Sequence, residues 1–210
     1  WQKRLYNDLV KMNRKDLKLK KVIDEIIADF DAIPIDDSVR KPKVGVVGEI
    51  LVKFHPDANN DVVGVIESEG GEAVMPGLAD FMLYCLYNNN FKRDNLGMKA
   101  STARLCNLAI WGIESYRKHA EKVMKANPKF ASRAPGHIAE IAEGAKKVLQ
   151  LGHCTGEGWF LTGEMIELIN SGVPNIVCVQ PFACLPNHVT GKGMIKVLRR
   201  QYPQSNIVAI

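Results

Sequence analysis

Apolar positions near the start of the chain recur with a helical period: Leu5, Leu9, Met12, Leu19, Val22, Ile23, Ile26, Ile27 and Phe30. The spacing predicts one long amphipathic helix over residues 2–33, ended by Pro34 and the polar cluster Asp36-Asp37-Ser38. The pattern changes after Pro42. Residues 43–48, Lys-Val-Gly-Val-Val-Gly, form a short apolar run of the kind a strand covered on both faces requires. A polar loop through Glu49, His55, Asn59 and Asn60 leads to a helix over 61–68. Gly70-Gly71 stops that helix, 72–75 reads as a second strand, and Pro76-Gly77 turns the chain into an apolar helix over 78–87.

Residues 88–172 carry no strand pattern. Asn88-Asn89-Asn90 marks a break, and three helices follow over 100–124, 136–149 and 155–169. A strand returns at 175–180, then a helix at 193–201 and a strand at 206–210. Strands alternating with helices build parallel sheets. The expected fold is therefore α/β: a three-layer, flavodoxin-like or Rossmann-like parallel sheet of about four strands in the order 2-1-3-4. The expected domain plan is an N-terminal helix over 1–38 and an α/β domain over 39–210, with a helical insertion at about 88–172.

Composition narrows the function. An apolar fraction of 46% and a charged fraction of 24% suit an ordinary globular chain. No apolar run approaches the roughly 20 residues of a membrane-spanning helix, and no targeting segment is visible. The net charge of +5 owes much to residues 1–21, where eight Lys and Arg face Asp8 and Asp16. No RNA- or DNA-binding motif accompanies them, so neither a nucleic-acid nor a membrane partner is expected. The five cysteines form neither a CxxC pair nor a disulfide framework, which fits a reducing, cytoplasmic setting. The start at Trp1 and the strand pattern running to Ile210 read as cuts in a longer polypeptide.

The chemistry-bearing stretch is 179–194, Val-Gln-Pro-Phe-Ala-Cys-Leu-Pro-Asn-His-Val-Thr-Gly-Lys-Gly-Met. It follows a strand and so places Cys184 at a carboxyl rim, where open α/β sheets bind ligands. Topology sets Glu49 and His55 on the same rim as Gln180, Cys184 and His188. Thr190-Gly191-Lys192-Gly193 is equally an anion site or a glycine-rich helix entry. No dinucleotide fingerprint, serine elbow or zinc helix is present. A nucleophilic pair of Cys184 and His188 would need Asn187 as its orienting group. Cys154, in Gly-His-Cys-Thr-Gly-Glu-Gly, is the other cysteine placed for chemistry, whereas Cys85, Cys106 and Cys178 read as core. His119 and His137 read as surface residues, and Trp111 and Trp159 as core or interface anchors.

Three runs carry a family resemblance: KVGVVGEILVKFHPDANNDVV (43–63), GEGWFLTGEMIELI (156–169) and NIVCVQPFACLPNHVTGKGMIKVLRRQYPQSNIVAI (175–210). The chain resembles the large activators of 2-hydroxyacyl-CoA dehydratases, also described as CoA-substrate-specific enzyme activases. These are related to the dehydratase iron–sulfur subunits and double-cubane proteins. The resemblance implies an iron–sulfur electron-transfer domain in an ATP-driven, low-potential reducing system. Cys184 would be a metal ligand and Cys154 a weaker candidate. Glu49, His55, Asn59, Asn60, Gln180, Asn187 and His188 would line the cofactor. ATP would be bound by other domains, with an ATPase activase module as partner and an acyl-CoA as possible substrate. A cubane cluster takes about four thiolates, so this chain by itself is expected to hold no intact cluster and to be inactive alone. A non-catalytic scaffold domain of the same multidomain protein is the other reading.

Overall fold

The computed structural model describes residues 1–11, 18–36 and 38–210. The chain divides into two compact units, one of residues 1–39 with 113–135, the other of 40–112 with 136–210.

In the first unit the expected single helix is replaced by two, α1 (Gln2–Lys11) and α2 (Leu19–Asp31). The intervening residues 12–17 lie outside the described ones. Trp1 Nε1 donates to Asp29 Oδ2 (2.8 Å) and Arg4 to Glu25 Oε2 (2.6 Å), so α1 runs back along α2. His119 belongs to this unit and bonds Asp24 Oδ1 at 2.7 Å.

The second unit is the α/β domain. Its strands are β1 (Lys43–Gly48), β2 (Glu72–Val74), β3 (Asn175–Val179) and β4 (Asn206–Ala209), all parallel, in the order β2-β1-β3-β4. Both the α/β class and the strand order follow the sequence pattern. After β1 the expected loop instead holds two short helices, α3 (Ile50–Phe54) and α4 (Pro56–Asn59), before the expected helix, α5 (Val62–Ser68). Next come α6 (Leu78–Asn95), α7 (Ala100–Ala126), whose residues from 113 onward belong to the first unit, α8 (Ile138–Lys146) and α9 (Gly158–Asn170). Two helices, α10 (Leu185–Thr190) and α11 (Ile195–Gln201), separate β3 from β4. Among the described residues no helix is long and apolar enough to cross a membrane.

Asn88–Asn90 does not break α6. Asn88 is buried and accepts Trp159 Nε1 (2.7 Å), while Asn90 and Asn107 exchange side-chain bonds at 2.9 and 3.0 Å. Tertiary partners thus satisfy amides that would otherwise favour leaving the helix. Tyr84, Trp159 and Phe160 form an aromatic core between α6 and α9, with ring centroids 5.0–6.3 Å apart.

One sheet face is covered by α9 and α11, which bury Leu161, Met165, Leu168 and Leu198 against Val47, Ile176, Cys178 and Ile207. The other is covered by α5, with Val62 and Ile66 against Val46 and Val179. That cover thins toward β4, where Val208, in register with Val177 and Val46, is exposed.

The carboxyl ends of β1 and β3 meet at Gly48, opposite Val179. Gly48 has φ +144°, and a Cβ there would stand 1.8 Å from the Val179 carbonyl oxygen. That oxygen accepts Glu49 N–H at 3.1 Å. Only glycine fits this approach. Gly48→Ala is expected to cost about 3 kcal/mol or more of stability, read as a lowered urea midpoint.

Candidate functional site

Beyond β3 the chain turns sharply. Gln180 N–H donates to Ile210 O (3.1 Å), Phe182 is fully exposed, and Ala183 takes a left-handed φ of 61°. Cys184 then precedes α10, its carbonyl accepting His188 N–H at 3.0 Å. The sulfur is half-buried at the carboxyl rim, beside the point where β1 hands over to β3.

Asn187, on the first turn of α10, is wholly buried. Its Nδ2 donates to Cys184 Sγ (3.1 Å) and to Glu157 Oε2 (2.8 Å), while among the described residues its buried Oδ1 has no hydrogen-bond partner. Glu157 is itself 5% exposed, and its Oε1 accepts Ile50 N–H at 3.1 Å. One carboxylate therefore links the first residue of α3, after β1, to α10, after β3. The loop before α9 is built to deliver it. Gly156 and Gly158 both have positive φ, of 59° and 46°, and a Cβ on Gly158 would lie 2.0 Å from His153 O. Tyr84 Oη donates to Gly156 O at 2.9 Å, and Trp159 N–H to His153 O at 2.7 Å.

A second buried charge lies beneath. Lys53 Nζ pairs with Glu164 Oε1 at 2.9 Å, each side chain only 2% exposed. Burial raises the Glu164 carboxyl above its ordinary range, Lys53 opposes the rise, and the charges of Asp80 and Glu157 add to it. Burial likewise pushes the Cys178 thiol up to about 12, with Glu164 and Glu157 contributing. Tyr84 is raised as well, by burial first.

The expected site residues fall into two groups. Cys184, Asn187 and Glu49 are held around the β1–β3 crevice, where Glu49 Oε2 caps α3 through Val52 N–H (2.9 Å). Gln180 directly follows β3, and among the described residues its Oε1 is buried without a partner. His188 is half-buried on α10, and among the described residues its ring has no hydrogen-bond partner. The Cys184–His188 nucleophilic pair is thus not assembled, because Asn187 bonds the sulfur instead. His55, Asn59 and Asn60 serve the α3–α5 connection. Asn59 bridges Val52 O, Lys53 O and Val62 N–H, Asn60 adopts a left-handed φ of 55°, and His55 is exposed. Cys154 is half-buried in the loop before α9, its N–H bonded to Gly152 O (2.9 Å). Among the described residues no group of three or more His, Cys, Asp and Glu is arranged to hold a metal ion.

Other expectations need correction. Cys85 is exposed, away from the buried face of α6, and Cys106 is half-buried, on the face of α7 that carries Ala103 and Ile110; neither is core. Of the two readings of Trp111, its exposure rules out core and leaves an interface anchor, whereas Trp159 and Cys178 are fully buried as expected. Sequence reasoning missed Glu157, Lys53 and Glu164. A lone acid inside Trp-Phe-Leu-Thr-Gly-Glu-Met-Ile was a readable signal, since a charge in an apolar helix demands a partner.

No family model matches the chain, and neither curated proteins nor solved structures supply a match.

Two expectations follow from these buried groups. Lys53→Met strands the Glu164 carboxylate and is expected to cost about 3–5 kcal/mol in urea unfolding, most of it regained in Lys53→Met/Glu164→Leu. In the native chain at pH 8, iodoacetamide should label Cys85 and leave Cys178 unmodified. A thiol raised to about 12 contributes stability that is whole below its unfolded value and is lost as pH rises toward 12. Peptide mass spectrometry reads both sites.

Proposed function

We propose that this chain is an α/β domain presenting one cysteine sulfur, Cys184, to an iron–sulfur cluster whose other ligands come from elsewhere in a larger protein. The observation that carries the reading is the hydrogen bond from buried Asn187 Nδ2 to a half-buried Cys184 Sγ on the carboxyl rim. An N–H aimed at sulfur suits a ligating thiolate, since such donors tune cluster potential. The rim also suits a shared centre. Leu51, Phe182 and Leu185 stand exposed on the segments that follow β1 and β3, ready to be covered by another domain.

The donor set fits a share of a cluster. Cys184 supplies one thiolate, with Cys154 the other loop-borne thiol of the domain. A cubane takes about four such ligands. The cluster, when bound, supplies a one-electron centre of low potential. This domain's own residues hold the sulfur, direct an N–H at it, and keep a carboxylate behind that amide. The family resemblance supports an ATPase activase module as the electron source and an acyl-CoA as the reduced system's substrate class. ATP then binds other domains, because no phosphate-loop motif is present here.

The test is Cys184→Ser in the full-length protein, purified without oxygen. Iron per polypeptide and the paramagnetic signal of the reduced cluster should both be lost. Iron content equal to that of the unaltered protein would overturn the assignment and leave a scaffold domain as the function.

A further inference from the structure

We infer that Glu157 is a positioning residue that fixes which arm of the Asn187 amide faces the Cys184 sulfur. The geometry is a matter of counting donors and acceptors. Glu157 offers two carboxylate oxygens, which only accept. One is occupied by Ile50 N–H at 3.1 Å, a backbone donor that cannot turn round. The other receives Asn187 Nδ2 at 2.8 Å. The nitrogen arm must therefore point toward Glu157, and its second hydrogen reaches Cys184 Sγ at 3.1 Å.

Asn187 keeps this orientation although its buried Oδ1 has no partner among the described residues. An unsatisfied buried carbonyl is costly. The amide's pose is thus dictated by the carboxylate on its nitrogen side and not by what its oxygen finds. The result is a donor, rather than an acceptor, directed at the sulfur. The anchor is itself well supported, since the Glu157 loop is braced by Tyr84 Oη on Gly156 O (2.9 Å) and by Trp159 N–H on His153 O (2.7 Å).

Glu157→Gln makes the logic visible at constant size. Glutamine has one oxygen, which Ile50 N–H claims, leaving its NH2 facing Asn187. The Asn187 amide then rotates, presents Oδ1 to residue 157, and turns its carbonyl toward the sulfur. Removing the Ile50 donor reverses this. Ile50 is the first residue of α3, where proline is well tolerated, and Glu49 before it already has extended backbone angles of −64° and 136°. In Ile50→Pro/Glu157→Gln the glutamine oxygen is free to accept Asn187 Nδ2, and the original orientation returns.

The inference deepens the reading of Cys184 as a ligand, but its test needs no metal. Isotope-labelled 210-residue chain is examined by NMR. Cross-peaks from the Asn187 side-chain NH2 protons to the Cys184 β-protons should be strong in the unaltered chain, collapse in Glu157→Gln, and reappear in the double variant. A space-filling role for Glu157 would leave them unchanged in Glu157→Gln, which overturns the inference. Their absence from the unaltered chain overturns it equally, so the result stands even if a variant fails to fold. A cross-peak loss together with iron that survives Cys184→Ser refutes the ligand reading alone. Unchanged cross-peaks with iron lost refute the positioning role alone.

Discussion

The close approach of β1 to β3 at Gly48 is the constraint on which the rest of the domain depends. Gly48 lies beside Val179 with no room for a Cβ, and the next residue, Glu49, bonds the same carbonyl. Two parallel strands drawn together at their carboxyl ends create a narrow crevice flanked by the first turns of α3 and α10. Everything chemically notable lies on its walls or just below. A wider gap would carry Ile50 N–H away from Glu157, and with it the alignment of Asn187 and Cys184.

Charge burial beneath this crevice follows an unusual plan for a small sheet protein. Lys53, Glu164, Glu157 and the wholly buried Asn187 are stacked between α3, α9 and α10. Hydrophobic residues in the same places would often be at least as stable. Two of these groups connect to the sulfur, since Asn187 Nδ2 donates both to the Glu157 carboxylate and to Cys184 Sγ. The hydrophobic work is done by α9, whose Leu161, Met165 and Leu168 press on the sheet while its Trp159 and Phe160 hold α6.

Much of the scaffold was legible in the chain. The apolar run 43–48, the strandless stretch 88–172 and the placement of Cys184 after β3 each follow from periodicity and punctuation. What escaped was long-range. Asn88 looks like a helix breaker until Trp159, distant in sequence, offers its indole N–H. The pairing of Arg4 on α1 with Glu25 on α2 is likewise something no helical period encodes. Cys184 and Asn187 lie close together in sequence and could be read as one group. Glu157 joins them only through folding, and its single clue was a charged residue between two glycines.

Gly191 shows what such crowding implies for the history of the protein. A Cβ there would meet Asn187 O at 2.6 Å, Leu161 at 2.9 Å and the Cys178 sulfur at 3.2 Å, so even alanine is shut out. With Gly48 barred in the same way across the crevice, substitutions can accumulate on the outer helices while the walls stay as they are. Two descendants of this chain could differ across most of their exterior and still superpose around one thiol.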